Sequence, residues 1–167
     1  EVLRVVRPYV GEPVQQAMDD PWVRVYYEDA RRFVRTGSAE SSTGRIRYDA
    51  ILSAAPDPST AALNRFYTYD FFLEAEQLLA NGGVFVSTIG SGVNYFSDAQ
   101  LNYVGSVYDA LGSVFRNVLA TPGGEAVLFA TDAEGLLTAD VEQLIARFDA
   151  RGIQSTGFSP LYFFTAC

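Results

Sequence analysis

The sequence of 167 residues contains no histidine and no lysine, and all 12 of its basic residues are arginine. These absences exclude a histidine general base, a Ser-His-Asp triad, a histidine metal ligand and a Schiff-base lysine supplied by this chain. Any acid–base chemistry must therefore come from Asp, Glu or Tyr side chains.

Cysteine and long apolar runs are also scarce. The single cysteine, Cys167, cannot form an internal disulfide. No run of about 18 apolar residues occurs, which predicts that no segment spans a membrane, and the scattered carboxylates predict no metal site. The net charge of −8 argues against a nucleic-acid surface, because phosphate contacts require clustered basic residues. The same charge would suit a cationic ligand.

Hydrophobic patterning predicts strands that alternate with helices, as in an α/β sheet. Residues 22–27 are typical of a strand, and Asp29 is placed to cap a helix over 30–36. The apolar run 48–53 has the pattern of a strand buried on both faces. The remaining predicted elements are a helix over 69–80 ended by Asn81-Gly82-Gly83, a strand over 84–87, a helix opened by Ser97-Asp98, antiparallel strands over 117–121 and 125–131, a helix capped by Thr138, and a last extended segment after Ile153.

The pattern contains no internal repeat or linker, so we interpret residues 1–167 as a single domain. The chain begins inside a run of helical character that has no capping residue before it. It stops in the apolar segment 161–164, which has no polar tail. We therefore interpret the chain as a fragment of a longer polypeptide.

Three stretches of the chain resemble successive motifs of one enzyme family. They are DPWVRVYYEDARRFV, YDAILSAAPDPSTAALNRFYTYDFF and NGGVFVSTIGS. In these motifs the chain is similar to the spermidine synthase-like polyamine aminopropyltransferases, and in particular to bacterial versions fused to membrane-spanning segments. The resemblance implies an α/β fold with a Rossmann-like, methyltransferase-type sheet, incomplete at the N-terminus, and a C-terminal antiparallel hairpin. It also implies decarboxylated S-adenosylmethionine as the cofactor and a diamine such as putrescine as the acceptor.

The resemblance assigns roles to residues that follow two predicted strands. Asp29 and Ala30 match the pair that contacts the adenine of the cofactor, and the alternative is that Asp29 serves only as a helix cap. Asp57 matches an acid that holds the amine, with a turn-forming role as the alternative. The first acid of that motif, the catalytic base, aligns with Ala54, whose methyl group cannot accept a proton. Tyr67 is a candidate for lining the amine pocket and, alternatively, for the core.

Two functions follow from these matches. The first is an aminopropyltransferase domain that is catalytically degenerate at Ala54. The second is a non-catalytic scaffold or accessory subunit of a larger, membrane-associated complex. The family's glycine-rich turn and ribose-binding acid have no match in the chain, which favours the second function; an ordinary methyltransferase is disfavoured by the segment LNRFYT. The resemblance implies a cytoplasmic or membrane-associated location, with other protein chains or a fused membrane segment as partners.

Overall fold

The computed structural model describes residues 5–36, 40–41, 44–58, 60–90, 98–121, 125–155 and 157–166. In this part of the chain, β1 (Glu40–Ser41) and β2 (Gly44–Arg45) form a small antiparallel pair, and β3 (Tyr48–Ser53), β4 (Leu79–Gly90), β5 (Asn117–Ala120) and β6 (Glu125–Thr131) form a four-stranded sheet. The helices are α1 (Glu12–Asp19), α2 (Ala30–Thr36), α3 (Ala61–Asn64), α4 (Tyr69–Glu76), α5 (Asp98–Gly112), α6 (Val141–Ala150) and α7 (Phe163–Ala166), with 3-10 turns at Arg7–Tyr9 and Pro160–Tyr162.

The sheet is mixed, with the strand order β3-β4-β6-β5. Strands β3 and β4 run parallel, and β6 pairs antiparallel with both β4 and β5. The β5–β6 pairing confirms the antiparallel strands predicted near the end of the chain. Since β3 pairs on one side only among the described strands, it forms an edge of this sheet.

One face of the sheet is buried beneath α4 and α5. Along β4 the side chains of Phe85, Ser87 and Ile89 point into this core, because successive residues of a strand face opposite sides. The Phe85 ring meets Phe72 of α4 edge-on at 5.5 Å and stacks on Phe115 at 6.1 Å between centroids. This aromatic cluster fixes α4 against the strand, and it thereby positions the segments that surround the carboxyl end of β4.

The opposite face of the sheet is covered only in part. Near β5 and β6, Leu144 of α6 and Phe163 of α7 line an apolar cavity of about 300 Å³ together with Phe129. At β3, by contrast, Leu52 is 76% exposed, so the prediction that 48–53 is buried on both faces is wrong. The apolar run correctly predicted a strand. It could not show that no described element packs over one face of that strand.

Residues 22–27 do not form a strand, and this prediction is also wrong. A strand needs a neighbour that pairs its backbone N–H and C=O groups, and none of the described strands pairs with this segment. Trp22 is 93% exposed, while the Tyr26 ring packs on Phe33 of α2 with centroids 5.2 Å apart. The β-prone composition of the segment is thus not matched by a pairing partner in the described part of the chain.

The predicted helix over 69–80 ends earlier, at Glu76, and residues 81–83 lie inside β4. The pairing of β3 with β4 is irregular here, and Gly82 has a φ of 79°. A Cβ on Gly83 would lie 3.0 Å from the Tyr48 carbonyl oxygen, which is tighter than most real contacts. These glycines therefore allow an irregular, closely packed strand, and they do not end a helix as predicted.

Two predictions for the C-terminal half of the chain differ from the structure, and a third falls on a residue outside the described ranges. Asp140 caps α6, since its carboxylate accepts from the backbone N–H of Glu142 at 2.9 Å, whereas the Thr138 hydroxyl accepts from the N–H of Asp140. The segment after Ile153 is not extended throughout, because it contains a 3-10 turn and α7. Ser97, predicted to open α5, lies outside the described residues.

Candidate functional site

The candidate site lies where the parallel strands β3 and β4 end side by side. The pairing of Ser53 with Ser87 places the loop 54–58 next to the last residues of β4. In open α/β sheets, ligands bind outside the carboxyl ends of the strands. This edge of the sheet is therefore the expected place for a ligand-binding site.

Tyr67 joins the two strand ends from inside the core. Its side chain is 4% exposed, and its hydroxyl donates to the carbonyl oxygen of Ala55 at 2.8 Å. The carbonyl oxygen of Thr88, near the end of β4, lies 3.2 Å from the same hydroxyl. Burial, followed by the nearby Asp57 carboxylate, raises the pKa of Tyr67. The hydroxyl thus stays protonated at neutral pH and acts as a donor that holds the loop 54–58 in place.

Asp57 is exposed and forms a second link between the strand ends. Its Oδ1 accepts a hydrogen bond from the backbone N–H of Gly90 at 2.7 Å. A Cβ on Gly90 would collide with Oδ2 of the same carboxylate. Glycine at this position therefore lets the end of β4 approach the carboxylate closely. Asp57 is also the single acidic residue of the loop 54–58, so it carries the negative charge of this edge.

Ala54, the expected position of the catalytic base, is exposed directly after β3. Its methyl group offers neither a hydrogen-bond acceptor nor a site for a proton. The loop that begins at Ala54 is nevertheless held in place by the hydrogen bonds of Tyr67 and Asp57. The loop is therefore ordered, although Ala54 carries no reactive group. A larger side chain at Ala54 would project from an exposed position and would not displace the core.

Asp29 occupies the turn before α2, which begins at Ala30. Its Oδ1 accepts from the backbone N–H of Arg32 at 3.0 Å, which confirms the predicted cap, and its Oδ2 pairs with the Arg65 guanidinium. The backbone hydrogen bond from Arg32, then the side-chain bond from Arg65, lowers the pKa of Asp29. The carboxylate is ionised and remains 42% exposed. It can therefore still meet a ligand on its open side.

A second arginine strengthens the connection between α2 and the turn at residues 65–68. Arg31 donates to the carbonyl oxygen of Arg65 and to Thr68 Oγ1, the latter at 3.1 Å. Its Nε also lies 3.3 Å from Glu74 Oε2 in an ion pair whose angles do not meet hydrogen-bond geometry. The turn that carries Tyr67 is consequently tied to α2 on one side and to the strand ends on the other.

Tyr103 of α5 completes the group of side chains around this edge. Its ring lies 6.4 Å from the Tyr67 ring at an interplanar angle of 70°. Its hydroxyl oxygen is buried and has no hydrogen-bond partner among the described residues. Burial, with smaller contributions from Tyr67 and Asp57, raises the pKa of Tyr103. The hydroxyl is therefore protonated and able both to donate and to accept.

Several known proteins are similar to the chain, and they have related functions by name. Over 90 residues, 54% of the chain, it is 32% identical to the polyamine aminopropyltransferase of Mycobacterium tuberculosis (strain H37Rv). Over 169 residues, 99% of the chain, it is 25% identical to polyamine aminopropyltransferase 1 of Hyperthermus butylicus. A crystal structure of spermidine synthase in complex with the transition state analogue AdoDATO superposes on 86% of the chain with a TM-score of 0.64 and 17% identity. The chain is spermidine synthase-like.

The spermidine synthase-like chain also shares its fold with a methyltransferase-like protein. Human methyltransferase-like protein 13, solved in complex with SAH, matches 89% of the chain and 71% of its own with a TM-score of 0.59 and 19% identity. These likenesses confirm the α/β fold with a Rossmann-like, methyltransferase-type sheet. No protein-family model matches the chain.

The spermidine synthase-like chain is short beside its relatives. It spans 16% of the Mycobacterium protein, 56% of the Hyperthermus protein and 48% of the chain in the spermidine synthase crystal structure. Among the helices in the described ranges, none has both the length and the apolarity needed to cross a membrane.

Sequence reasoning selected part of this site and missed part of it. The structure brings Asp57 and Tyr67 together at the ends of β3 and β4, and it places Asp29 beside Arg65, two residues before Tyr67. Tyr103 was not selected. Its spacing of four residues from Val107 on α5 was a usable signal, because residues four apart share one face of a helix and Val107 is buried.

Proposed function

We propose that this spermidine synthase-like chain is an aminopropyltransferase domain that takes decarboxylated S-adenosylmethionine as donor and a diamine such as putrescine as acceptor, and that its catalysis is degenerate. The observation that carries the proposal is the ordered edge at which exposed Asp57 stands three residues after Ala54. The amine-holding acid is present and fixed by Gly90. The residue expected to take the proton is replaced by a methyl group.

Aminopropyl transfer requires a base that removes a proton from the amine. In aminopropyl transfer a C–N bond forms, the C–S bond of the sulfonium breaks, and the bonding pair stays on sulfur. An alkylammonium has no free electron pair, so it must lose a proton before it attacks, and a carboxylate within hydrogen-bond reach serves as the base. Asp57 is exposed and uses Oδ1 for the Gly90 N–H, while Oδ2 has no hydrogen-bond partner among the described residues. The second oxygen can therefore accept a hydrogen bond from the ammonium group of an amine.

Asp29 and Ala30 supply the proposed contact with the adenine of the donor. The open side of the Asp29 carboxylate accepts an exocyclic amino group, while its other contacts keep it ionised and oriented. Arg65 and the N–H of Arg32 hold this carboxylate in a fixed position. The donor supplies an electrophilic carbon next to a sulfonium, and the role of these residues is to orient it.

A non-catalytic scaffold or accessory subunit is the second candidate function. Exposed apolar side chains favour it, since Leu52 is largely uncovered beside the half-buried Val86 of β4, its pairing neighbour. In this case other protein chains, or a fused membrane segment, are the partners. The two candidates differ in one property, because a scaffold that keeps only the fold does not bind the donor or the diamine.

Calorimetric titration of the intact protein with decarboxylated S-adenosylmethionine and with putrescine tests the proposal. An Ala54→Asp variant restores a carboxylate at the base position, and Ala54→Asn is the matched control of similar size without a base. We expect wild type and both variants to bind the ligands and only Ala54→Asp to gain aminopropyl transfer. Absence of binding to all three proteins would contradict the proposal and favour the scaffold.

A further inference from the structure

The buried hydroxyl of Tyr103 lacks a partner among the described residues, although buried polar groups are almost always hydrogen-bonded. Its neighbour on the same helix shows the contrast. The hydroxyl of Tyr108, closer to the surface, donates to the carbonyl oxygen of Val118 at 3.1 Å. A second unpaired hydroxyl, that of Ser87, is 1% exposed on the sheet face that α5 covers. The region between α5 and the end of β4 therefore contains hydrogen-bonding capacity that the described chain does not use.

The neighbouring Tyr67 side chain forms no hydrogen bond with the Tyr103 hydroxyl. The Tyr67 hydroxyl has one proton, and it donates that proton to the Ala55 carbonyl oxygen at 2.8 Å. The Thr88 carbonyl oxygen competes for the same proton from 3.2 Å. The two tyrosine rings contact each other edge to face at 6.4 Å, but no hydrogen bond joins their hydroxyls. A partner for Tyr103 must come from outside this pair.

The surroundings of Tyr103 select the chemistry of that partner. Several polar groups at this edge are hydrogen-bond acceptors, namely the Asp57 carboxylate and the carbonyl oxygens of Ala55 and Thr88. An ammonium group with three N–H donors matches this set, and a carboxylate or phosphate does not.

We propose that Tyr103 binds the amine substrate. Its buried hydroxyl oxygen receives a hydrogen bond from one ammonium group of a diamine held near Asp57. The inference rests on the proposed function and adds to it a binding residue on α5. It makes Tyr103 a determinant of specificity for cationic amines, because an uncharged ligand of the same length leaves the carboxylate and the hydroxyl without a strong donor.

Calorimetry with putrescine on intact wild type, Tyr103→Phe and Tyr108→Phe tests the inference. Phenylalanine keeps the ring and its packing, and Tyr108 is the matched control on the same helix. We expect Tyr103→Phe to weaken putrescine binding by about tenfold or more with unchanged affinity for decarboxylated S-adenosylmethionine. Tyr108→Phe should leave both affinities unchanged. Since an unpaired hydroxyl is removed, Tyr103→Phe should melt at or above the wild-type temperature.

Competition with 1,4-butanediol, which has hydroxyls in place of ammonium groups, should fail in wild type. Equal putrescine affinity in wild type and Tyr103→Phe would overturn the inference alone and assign the hydroxyl to a bound water. Equal weakening by both tyrosine variants would also overturn it, since the effect would then belong to the helix. Wild type that binds the donor but no putrescine would instead contradict the acceptor half of the proposed function.

Discussion

The hydroxyl of Tyr67 donates a 2.8 Å hydrogen bond to the carbonyl oxygen of Ala55, the residue directly after the expected base position. Tyr67 is itself part of the core cluster beneath the sheet. The structure thus confirms the interpretation of Tyr67 as a core residue, whose hydroxyl also holds the loop 54–58, and its role in an amine pocket stays a prediction. A ligand at this edge would meet a loop that is ordered before binding, which lowers the entropic cost of association.

Replacing Tyr67 by Phe should therefore loosen the loop without opening the core. The ring stays, and one buried hydrogen bond is lost, so we expect the free energy of unfolding to fall by about 1 kcal/mol. Urea denaturation followed by fluorescence measures this change. The control is Tyr69→Phe, at an exposed tyrosine two residues later, which should change stability by less than about 0.5 kcal/mol. Equal losses in both variants would show that the Ala55 contact is not formed.

Gly90 should be required at the end of β4 because of Asp57. Alanine at this position collides with the carboxylate, and we expect Gly90→Ala to lower the free energy of unfolding by about 1–3 kcal/mol and to weaken putrescine binding. Combining it with Asp57→Ala removes the collision, so the two changes should be coupled by at least about 0.5 kcal/mol in a double-mutant cycle. Additive losses would contradict the close approach of these two residues.

Gly105 provides the matched glycine control for that experiment. It lies inside α5, and a Cβ there would meet nothing within 4 Å. Gly105→Ala should raise the free energy of unfolding by about 0.5–1 kcal/mol, since glycine is unfavourable in a helix interior. An increase at Gly105 beside a decrease at Gly90 would separate the local clash from any general effect of added methyl groups.

Some features that depend only on adjacent residues were predicted from the sequence, and features that depend on distant neighbours were missed. Asp29 was predicted to cap α2 from the sequence because an N-cap needs only the residues that follow it. The exposure of Leu52 depends on what packs over an edge strand, which no six-residue pattern contains. The pairing of Tyr103 with Tyr67 likewise depends on how α5 lies against a turn more than 30 residues earlier. The residues chosen from the family motifs, Asp57 and Tyr67, lie together at the ends of β3 and β4, and only the fold showed their hydrogen bonds.

The two faces of the sheet should respond differently to truncation. Phe85 is fully buried between the Phe72 and Phe115 rings, so Phe85→Ala should cost about 3–5 kcal/mol. Leu52→Ala, on the largely exposed face of β3, should cost less than about 0.5 kcal/mol if that face stays uncovered. Chemical denaturation of both variants measures the contrast. A loss of about 2 kcal/mol or more at Leu52, on the order expected for a buried leucine, would show that another element covers it in the intact protein.

The charge of Asp29 should make the turn before α2 sensitive to acid. Its pKa is lowered in the fold, chiefly by the N–H of Arg32 and then by Arg65, so the ionised form stabilises the native state. That contribution is complete above the unfolded-state pKa of about 3.9 and is lost as the pH falls through the lower native pKa.

The variant Asp29→Asn tests this charge. It removes the charge and keeps a capping oxygen, and Asn and Asp cap helices about equally well. We expect the variant to be less stable than wild type at pH 7 and the difference to shrink steadily below about pH 4, measured by urea denaturation across the pH range. In an Arg65→Gln background the pH-dependent difference should become smaller, since the ion pair is already absent. A stability difference between wild type and Asp29→Asn that does not change with pH would assign the effect to cap geometry and would contradict an electrostatic role for Arg65.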